Sequence, residues 1–126
     1  MIVRTVDDLK GTKRDMRTRN WSSLRFLHRE DGMGFTLTDT VLEAGMDQVI
    51  WYKNHLEACY CLEGEGTIEE LSSGAVYELK PGTLYALNNH DRHRLRVRMR
   101  THLICVFNPA LVGGEVHDAE GSYPSA

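Results

Sequence analysis

The sequence predicts an all-β fold that forms one domain. From Trp21 onward, short stretches of alternating apolar and polar residues are separated by glycines and polar turns. Many short strands at close spacing are typical of a β-sandwich or β-barrel. The chain has 126 residues, which is long enough to bury a hydrophobic core of its own. We therefore expect residues 1–126 to form a single β domain.

The N-terminal segment predicts a short helical turn over residues 5–10. Thr5 is a residue type that caps helices, and Asp7 and Asp8 lie where the helix dipole favours negative charge. Residues 12–20 are polar and basic, and we expect them to be irregular.

The remainder of the chain is predicted to consist of strands separated by tight turns. Residues 113–126 have no strand or helix pattern, and we expect them to form a mobile tail or a lid. A turn is expected at Gly64-Glu65-Gly66, between two of the strands. The predicted strands cover residues 22–28, 34–42, 45–53, 57–63, 66–71, 75–79, 83–87, 93–98 and 101–108.

Composition and charge argue against two classes of partner. A formal net charge of −3 gives no general attraction for nucleic acid. No apolar run approaches the length needed to cross a membrane, and the charged N-terminus lacks the apolar segment of a signal peptide. We therefore expect a cytoplasmic protein that binds neither nucleic acid nor membrane. Its cysteines, Cys59, Cys61 and Cys105, should be free thiols in that reducing compartment.

A carboxylate in phase with two thiols is the most unusual feature of the sequence. In an extended strand, Glu57, Cys59 and Cys61 point to one face, and that face is otherwise part of an apolar run. A buried carboxylate is unfavourable unless it is paired with a positive charge or binds a metal. Both explanations are open from the sequence, because an arginine partner would satisfy Glu57 as well as a metal would.

His93 is predicted to point into the protein. Four arginines occupy alternate positions in residues 93–100, and we expect this row to be a solvated face. His93 therefore shares the inward face with Leu95, Val97 and Met99. Its alternative role is that of a hydrogen-bonded core histidine.

Tyr85 is inward by the same argument, since it lies in phase with Thr83 and Leu87. A carboxylate, a phenol and an imidazole that converge inside a small barrel can bind a metal. Imidazole and carboxylate suit iron, zinc or manganese, and a phenolate favours iron. The alternative for Tyr85 is ordinary core packing with its hydroxyl satisfied.

Several stretches of the sequence closely resemble the ectoine synthase family of the cupin superfamily. Glu57 with Gly64, and Pro81-Gly82 with Tyr85, resemble the two cupin motifs, although the paired histidines of the first motif are missing. The resemblance runs from Met1 to about Tyr123. The matching stretches are DGMGF at 31–35, WYKNHLEACYCLEGEGTIE at 51–69, PGTLYALNNHDRHRLR at 81–96, CVFNP at 105–109 and GEVHD at 114–118.

The resemblance implies a jelly-roll-like cupin barrel, usually a homodimer. The implied reaction closes N-γ-acetyl-L-2,4-diaminobutyrate, a small zwitterionic amino acid derivative, into the compatible solute ectoine with loss of water. The resemblance also implies that Glu57, Tyr85 and His93 bind Fe(II), which acts as a Lewis acid. Family positions associated with the substrate fall on Trp21, Ser23, Arg25, Thr38, Thr40, Tyr52, Cys105, Phe107, Glu115 and His117.

The implied reaction suggests roles for five of these residues. The α-amino group must lose a proton before it attacks the acetamide carbonyl, and Tyr52 is the first candidate for this base, with His117 the second. Trp21 and Phe107 would form walls that contact the ammonium group. Arg25 would pair with the substrate carboxylate.

Each assignment has a structural alternative. Trp21 and Phe107 are ordinary core aromatics in many barrels, Thr38 and Thr40 are common strand residues, and Arg25 could face solvent. Cys105 could serve packing alone, and the tail that carries Glu115 and His117 could act only as a lid that excludes water.

The chain departs from the family pattern at Leu24, Ala110 and Asn88-Asn89, and we expect these departures to tune the activity without abolishing it. Leu24 is out of phase with its neighbours and should not line the same wall. Two other functions stay open: an iron-dependent cupin oxygenase acting on a small amino acid derivative, and a non-catalytic cupin that binds a zwitterionic solute.

Overall fold

A computed structural model describes residues 1–125 and shows eight antiparallel strands in one sheet. A helical turn, α1 (Val6–Leu9), precedes the strands, and a short 3-10 turn (Arg29–Asp31) follows the second of them. The all-β prediction is therefore confirmed. The strands are β1 (Asp15–Arg17), β2 (Trp21–Arg25), β3 (Thr36–Leu42), β4 (Asp47–Ile50), β5 (Leu56–Glu70), β6 (Ala75–Leu79), β7 (Leu84–Leu87) and β8 (His93–Asn108).

The two longest strands join the halves of the sheet. The first half of β5 pairs with β7 and with the end of β8, and its second half pairs with β6 and the start of β8. In the same way, β8 pairs with β4 near its start and with β3 near its end. The sheet therefore folds over a core that lies between its two parts, as in a jelly-roll barrel.

The predicted turn at Gly64-Glu65-Gly66 is wrong. The chain stays in β5 through this segment, and the register between β5 and β8 shifts there, which marks a bulge. Gly64 has φ of +114°, and a Cβ at this position would lie 2.5 Å from the Cα of Thr101. Both glycines therefore let the two strands approach closely while β5 bends.

Two further predictions are corrected by the pairing of strands. The strands predicted at 93–98 and 101–108 form one strand, β8, and Met99 at their junction is 55% exposed instead of inward. The phase of β8 is the same on both sides of this residue, since Val97 and Thr101 are both buried, and Met99 is exposed where β8 lies opposite the irregular segment of β5 at Glu65. Residues 12–20, predicted to be irregular, contain β1, because β2 offers it a pairing edge.

Other expectations are confirmed. Thr5 caps α1, since its hydroxyl accepts a hydrogen bond from the backbone N–H of Asp8. The arginine row of β8 forms ion pairs on the surface, for example between Arg94 and Asp47 and between Arg98 and Glu78. Within the described part of the chain, all three cysteines are buried and free.

The C-terminal segment packs against the barrel without forming a strand or helix. Glu115, Ser122 and Tyr123 are buried there. The mobility expected for residues 113–126 stays a prediction, and Ala126 lies outside the described residues.

No α-helix within residues 1–125 has the length and apolar character required to cross a bilayer.

The close approach at Gly64 predicts a large effect of a single methyl group. We expect Gly74→Ala, where φ is also positive but the surroundings are open, to lower the free energy of unfolding by about 1 kcal/mol. Gly64→Ala should lower the free energy of unfolding by a further ~1–3 kcal/mol, because the new Cβ would clash with the Thr101 backbone. Urea denaturation of both variants tests this, and equal losses would contradict the steric explanation.

Candidate active site

A cavity inside the barrel brings most of the predicted site residues together. Three predicted residues, Arg25, Thr38 and Glu115, are buried outside its lining. The predicted residues that line the cavity are Trp21, Ser23, Thr40, Tyr52, Glu57, Tyr85, His93, Cys105, Phe107 and His117.

Strand register explains why residues distant in sequence meet here. Cys59 of β5 lies opposite Tyr85 of β7 on one side and opposite Cys105 of β8 on the other. Cys105 in turn lies opposite Thr38 of β3. Glu57 lies two residues before Cys59 and shares its face. Strands β3, β5, β7 and β8 therefore place inward-facing residues at the same level of the barrel. Inward-facing residues of these strands line the cavity.

Glu57 is a buried carboxylate without a compensating charge. Its residue is only 8% exposed, and no lysine, arginine or histidine among residues 1–125 forms an ion pair with it. Burial raises the pKa of Glu57 to about 7, and hydrogen bonding from the thiols of Cys59 and Cys105 opposes that rise. The arginine-paired alternative for Glu57 is therefore wrong.

His93 is oriented in the way typical of a metal ligand. Its Nδ1 lies 3.0 Å from the carbonyl oxygen of Asp91, so the Nδ1–H donates there and Nε2 keeps its lone pair. Burial lowers the pKa of His93, which favours the neutral ring. The ring of Tyr85 lies 6.2 Å away between centroids, and burial raises its pKa well above the ordinary value. A carboxylate, a phenol and an imidazole thus line one cavity.

Tyr52 and His117 form a hydrogen-bonded pair at the cavity wall. The Tyr52 hydroxyl lies 2.7 Å from His117 Nε2. Burial raises the pKa of Tyr52 well above 10 and lowers the pKa of His117 to about 4. Near neutral pH the phenol is therefore protonated and donates to a neutral imidazole.

Aromatic rings surround this pair. The ring of Tyr123 stacks on Tyr52 at 4.9 Å between centroids, and Phe107 meets Tyr52 edge-on at 5.3 Å. Trp21 lies 5.5 Å from the ring of His117. These contacts give the cavity an apolar wall beside its polar groups.

Arg25 is bound to the C-terminal segment. It is fully buried, which excludes the solvent-facing alternative. One of its terminal nitrogens lies 3.5 Å from the Glu115 carboxylate, and the other donates to the Glu115 backbone carbonyl. The same carboxylate accepts hydrogen bonds from the backbone N–H groups of Val112 and Gly113. This ion pair therefore fastens the segment to β2.

Tyr123 is a site residue that the sequence did not predict. It lines the cavity, stacks on Tyr52 and lies 4.9 Å from the ring of His117 between centroids, yet it belongs to a stretch without periodicity. Its position at the end of the stretch that resembles the family is the sequence feature that could have identified it. Cys59 also lines the cavity, and its phase with Glu57 predicts an inward position but no role. Leu24 lies outside the cavity lining, as its phase predicted.

Comparisons with known proteins agree with this geometry. The sequence model described as ectoine synthase matches residues 1–126. The chain belongs to the ectoine synthase family. The L-ectoine synthase of Oceanobacillus iheyensis is 49% identical over 124 residues, which are 98% of this chain and 97% of the relative.

Solved structures of this family and of other cupins have the same fold. The crystal structure of ectoine synthase from P. lautus superimposes with a TM-score of 0.89 at 51% identity, over 96% of this chain and 87% of that chain. An RmlC-like cupin from Shewanella frigidimarina has a TM-score of 0.61 at 19% identity, over 76% of this chain and 82% of that chain. The second likeness concerns the fold alone, and it confirms the predicted cupin barrel.

The buried ion pair predicts that Glu115 holds the C-terminal segment in place. We expect Glu115→Gln to lower the free energy of unfolding by about 3 kcal/mol, because it leaves the Arg25 charge buried without its partner. Glu120→Gln is the matched control, since Glu120 pairs with Lys53 on the surface and should contribute less than about 1 kcal/mol. Urea unfolding gives the energies, and amide exchange of residues 112–123 should accelerate in the first variant alone. Equal behaviour of the two variants would refute the assignment.

The pKa of His117 predicts weaker folding in acid. This pKa falls from an ordinary value of 6.5 to about 4 on folding. Between these values the unfolded chain binds a proton that the folded chain does not, so the contribution is complete above pH 6.5 and is lost as the pH falls towards 4. Acidification to about pH 5 should therefore destabilise the wild type by about 1–2 kcal/mol more than His117→Gln. Parallel pH profiles in urea unfolding would contradict this.

Proposed function

We propose that this chain is an L-ectoine synthase that cyclises N-γ-acetyl-L-2,4-diaminobutyrate with loss of water. The observation that carries the proposal is the convergence of Glu57, Tyr85 and His93 on a cavity that most of the family's substrate positions also line. Family membership makes the chain a hydro-lyase. The product is a compatible solute, and the free thiols suit a cytoplasmic location.

Glu57, Tyr85 and His93 would hold an iron(II) ion in this proposal. The donor chemistry fits, because the carboxylate has no cationic partner among the described residues and the imidazole keeps a free Nε2 lone pair. When bound, the ion supplies Lewis-acid polarisation of the amide carbonyl, which is otherwise a poor electrophile.

The Tyr52–His117 pair would handle the proton of the substrate amine. Because the pKa of Tyr52 is raised, its phenol stays protonated and is a poor base, but it can relay a proton. His117 is neutral and can accept that proton. The α-ammonium proton passes through Tyr52 to His117 Nε2, across the 2.7 Å hydrogen bond. After attack, the nitrogen passes its second surplus proton to the former carbonyl oxygen, which becomes a hydroxyl group. His117 then returns the first proton to this hydroxyl group, the C–O bond breaks, and water leaves as the amidine C=N bond forms. His117 thus replaces Tyr52 as the proposed base.

Ring closure also needs the substrate to fold and the solvent to be kept out. Trp21 and Phe107 form cavity walls that would hold the chain with its amine near the acetamide carbon. Residues 113–125 would act as a lid, because Tyr123 covers the aromatic side of the cavity and Arg25 anchors the segment through Glu115. Exclusion of bulk water favours a dehydration.

A homodimer is part of the proposal. Strand β7 pairs with β5 on one side, and its outward residue Leu84 is 62% exposed beside Tyr60, which is 45% exposed. Leu62 extends this apolar patch along β5. A second copy of the chain is the occupant we propose for it. Sedimentation should show a dimer that Leu84→Lys converts to monomer, and a monomeric wild type would refute it.

An anaerobic turnover assay tests the function. Metal-free protein would be reloaded with iron(II) and given the acetylated substrate, with the product followed by NMR. Ectoine should appear only with iron, and activity should fall at least about 100-fold in Glu57→Ala and His93→Ala. Glu63→Gln, an exposed carboxylate of the same strand, is the control and should stay active. Absence of ectoine with iron bound would refute the proposal. Oxygen consumption would then identify an oxygenase, and binding without turnover a solute-binding cupin.

The proton route predicts a specific kinetic signature. We expect Tyr52→Phe and His117→Gln each to lower kcat by about 100-fold with a much smaller change in KM, because they remove a proton transfer and leave the cavity walls in place. The double variant should be little worse than either single one, since both residues act in one route. Steady-state kinetics tests this, and independent, multiplying losses would contradict a shared route.

A further inference from the structure

We propose that Glu57, Cys59 and Cys105 form a second metal site, selective for thiophilic divalent cations such as Zn²⁺ or Cd²⁺. Its ligand chemistry differs from that of the carboxylate, phenol and imidazole set, although both sets use Glu57. The site is built from residues of two neighbouring strands.

The geometry of the three groups supports this site. One carboxylate oxygen and two sulfur atoms all lie within 4.8 Å of one another. Cys59 and Cys105 lie directly opposite each other in the β5–β8 ladder, where side chains of a facing pair are in contact. Glu57 is two residues before Cys59, so its carboxylate comes from the same inward face. Atoms bound to one zinc ion lie closer together than this, so the proposal requires the three side chains to rotate towards one another when the metal binds.

The charge balance of the cluster points to a cation. All three residues are buried, with 8%, 1% and 3% of Glu57, Cys59 and Cys105 exposed. Within residues 1–125, none of the three takes part in an ion pair. Three groups that become anionic on metal binding are thus collected where protein cations are missing, and a divalent ion supplies that charge.

The donor types select the class of ion. Thiolates bind soft or borderline cations, whereas the phenol and imidazole set suits a harder ion. Two thiolates and a carboxylate give three protein ligands, and the cavity beside them leaves a fourth position for water, which is the arrangement of an open zinc site.

Cys61 shows that burial of a thiol alone does not create this site. It is fully buried on the same face of β5, but its Sγ donates to the backbone carbonyl of Glu63 at 3.3 Å and it lies outside the cavity lining. It therefore provides a matched control for the other two thiols.

The shared carboxylate makes the two sets mutually exclusive. An ion held by Cys59 and Cys105 removes Glu57 from the set that includes Tyr85 and His93, so a thiophilic cation should displace iron and inhibit the enzyme. This consequence depends on the proposed function, whereas the thiolate site itself does not.

Cadmium titration of the metal-free, full-length chain tests the site. We expect a thiolate-to-cadmium charge-transfer band in the wild type and in Cys61→Ser. The band should also persist in Tyr85→Phe, which separates this site from the proposed iron set. Affinity should fall at least about tenfold in Cys59→Ser and in Cys105→Ser. A band of unchanged affinity in both of these variants, or an equal loss in Cys61→Ser, would overturn the proposal.

X-ray absorption of the zinc-loaded wild type gives a test that requires no variant to fold. Two sulfur ligands at about 2.3 Å are expected, together with lighter oxygen ligands. A zinc shell of nitrogen and oxygen alone would overturn the site. If two sulfur ligands are found but the iron-loaded chain makes no ectoine, the proposed function fails and the thiolate site stands.

Discussion

The site is organised around one buried carboxylate that has no compensating cation among the described residues. Glu57 lies inside the barrel, where its negative charge is poorly solvated and its pKa rises to about 7. Isolated burial of this kind is unfavourable and is retained where a metal or a reaction uses it. The imidazole of His93 and the phenol of Tyr85 line the same cavity. Burial of Glu57 therefore lowers the stability of the folded protein, and a bound cation would offset this cost.

Antiparallel pairing turns a local pattern into this site. Each strand alternates its side chains, but the register of β3, β5, β7 and β8 sets which inward residues stand at one level. The bulge at Gly64 bends β5 so that its two halves serve both parts of the sheet. The C-terminal segment then covers the cavity through the Arg25–Glu115 ion pair and the ring of Tyr123. Contacts between segments distant in sequence therefore bring the cavity lining and its cover together.

Alternation in the sequence was enough to predict the inward positions of Glu57, Tyr85 and His93. It was not enough to predict their neighbours, because register is decided by pairing between distant strands. Gly64 was predicted to lie in a turn, because the sequence does not distinguish a glycine required for close approach to Thr101 from a glycine required by a turn. The sequence also did not predict the position of Tyr123 or the Arg25–Glu115 ion pair. Both involve an irregular segment, which has no periodic pattern from which its contacts can be inferred.

The central claim is that Glu57 is kept for a metal at the expense of stability, and Glu57→Gln tests it most directly. Thermal unfolding of the metal-free variant and iron binding by the same protein would be measured together. We expect the variant to be at least as stable as the wild type, since an uncompensated buried charge is removed, and to lose iron binding at least about 100-fold. A variant that is clearly less stable and still binds iron tightly would contradict this account.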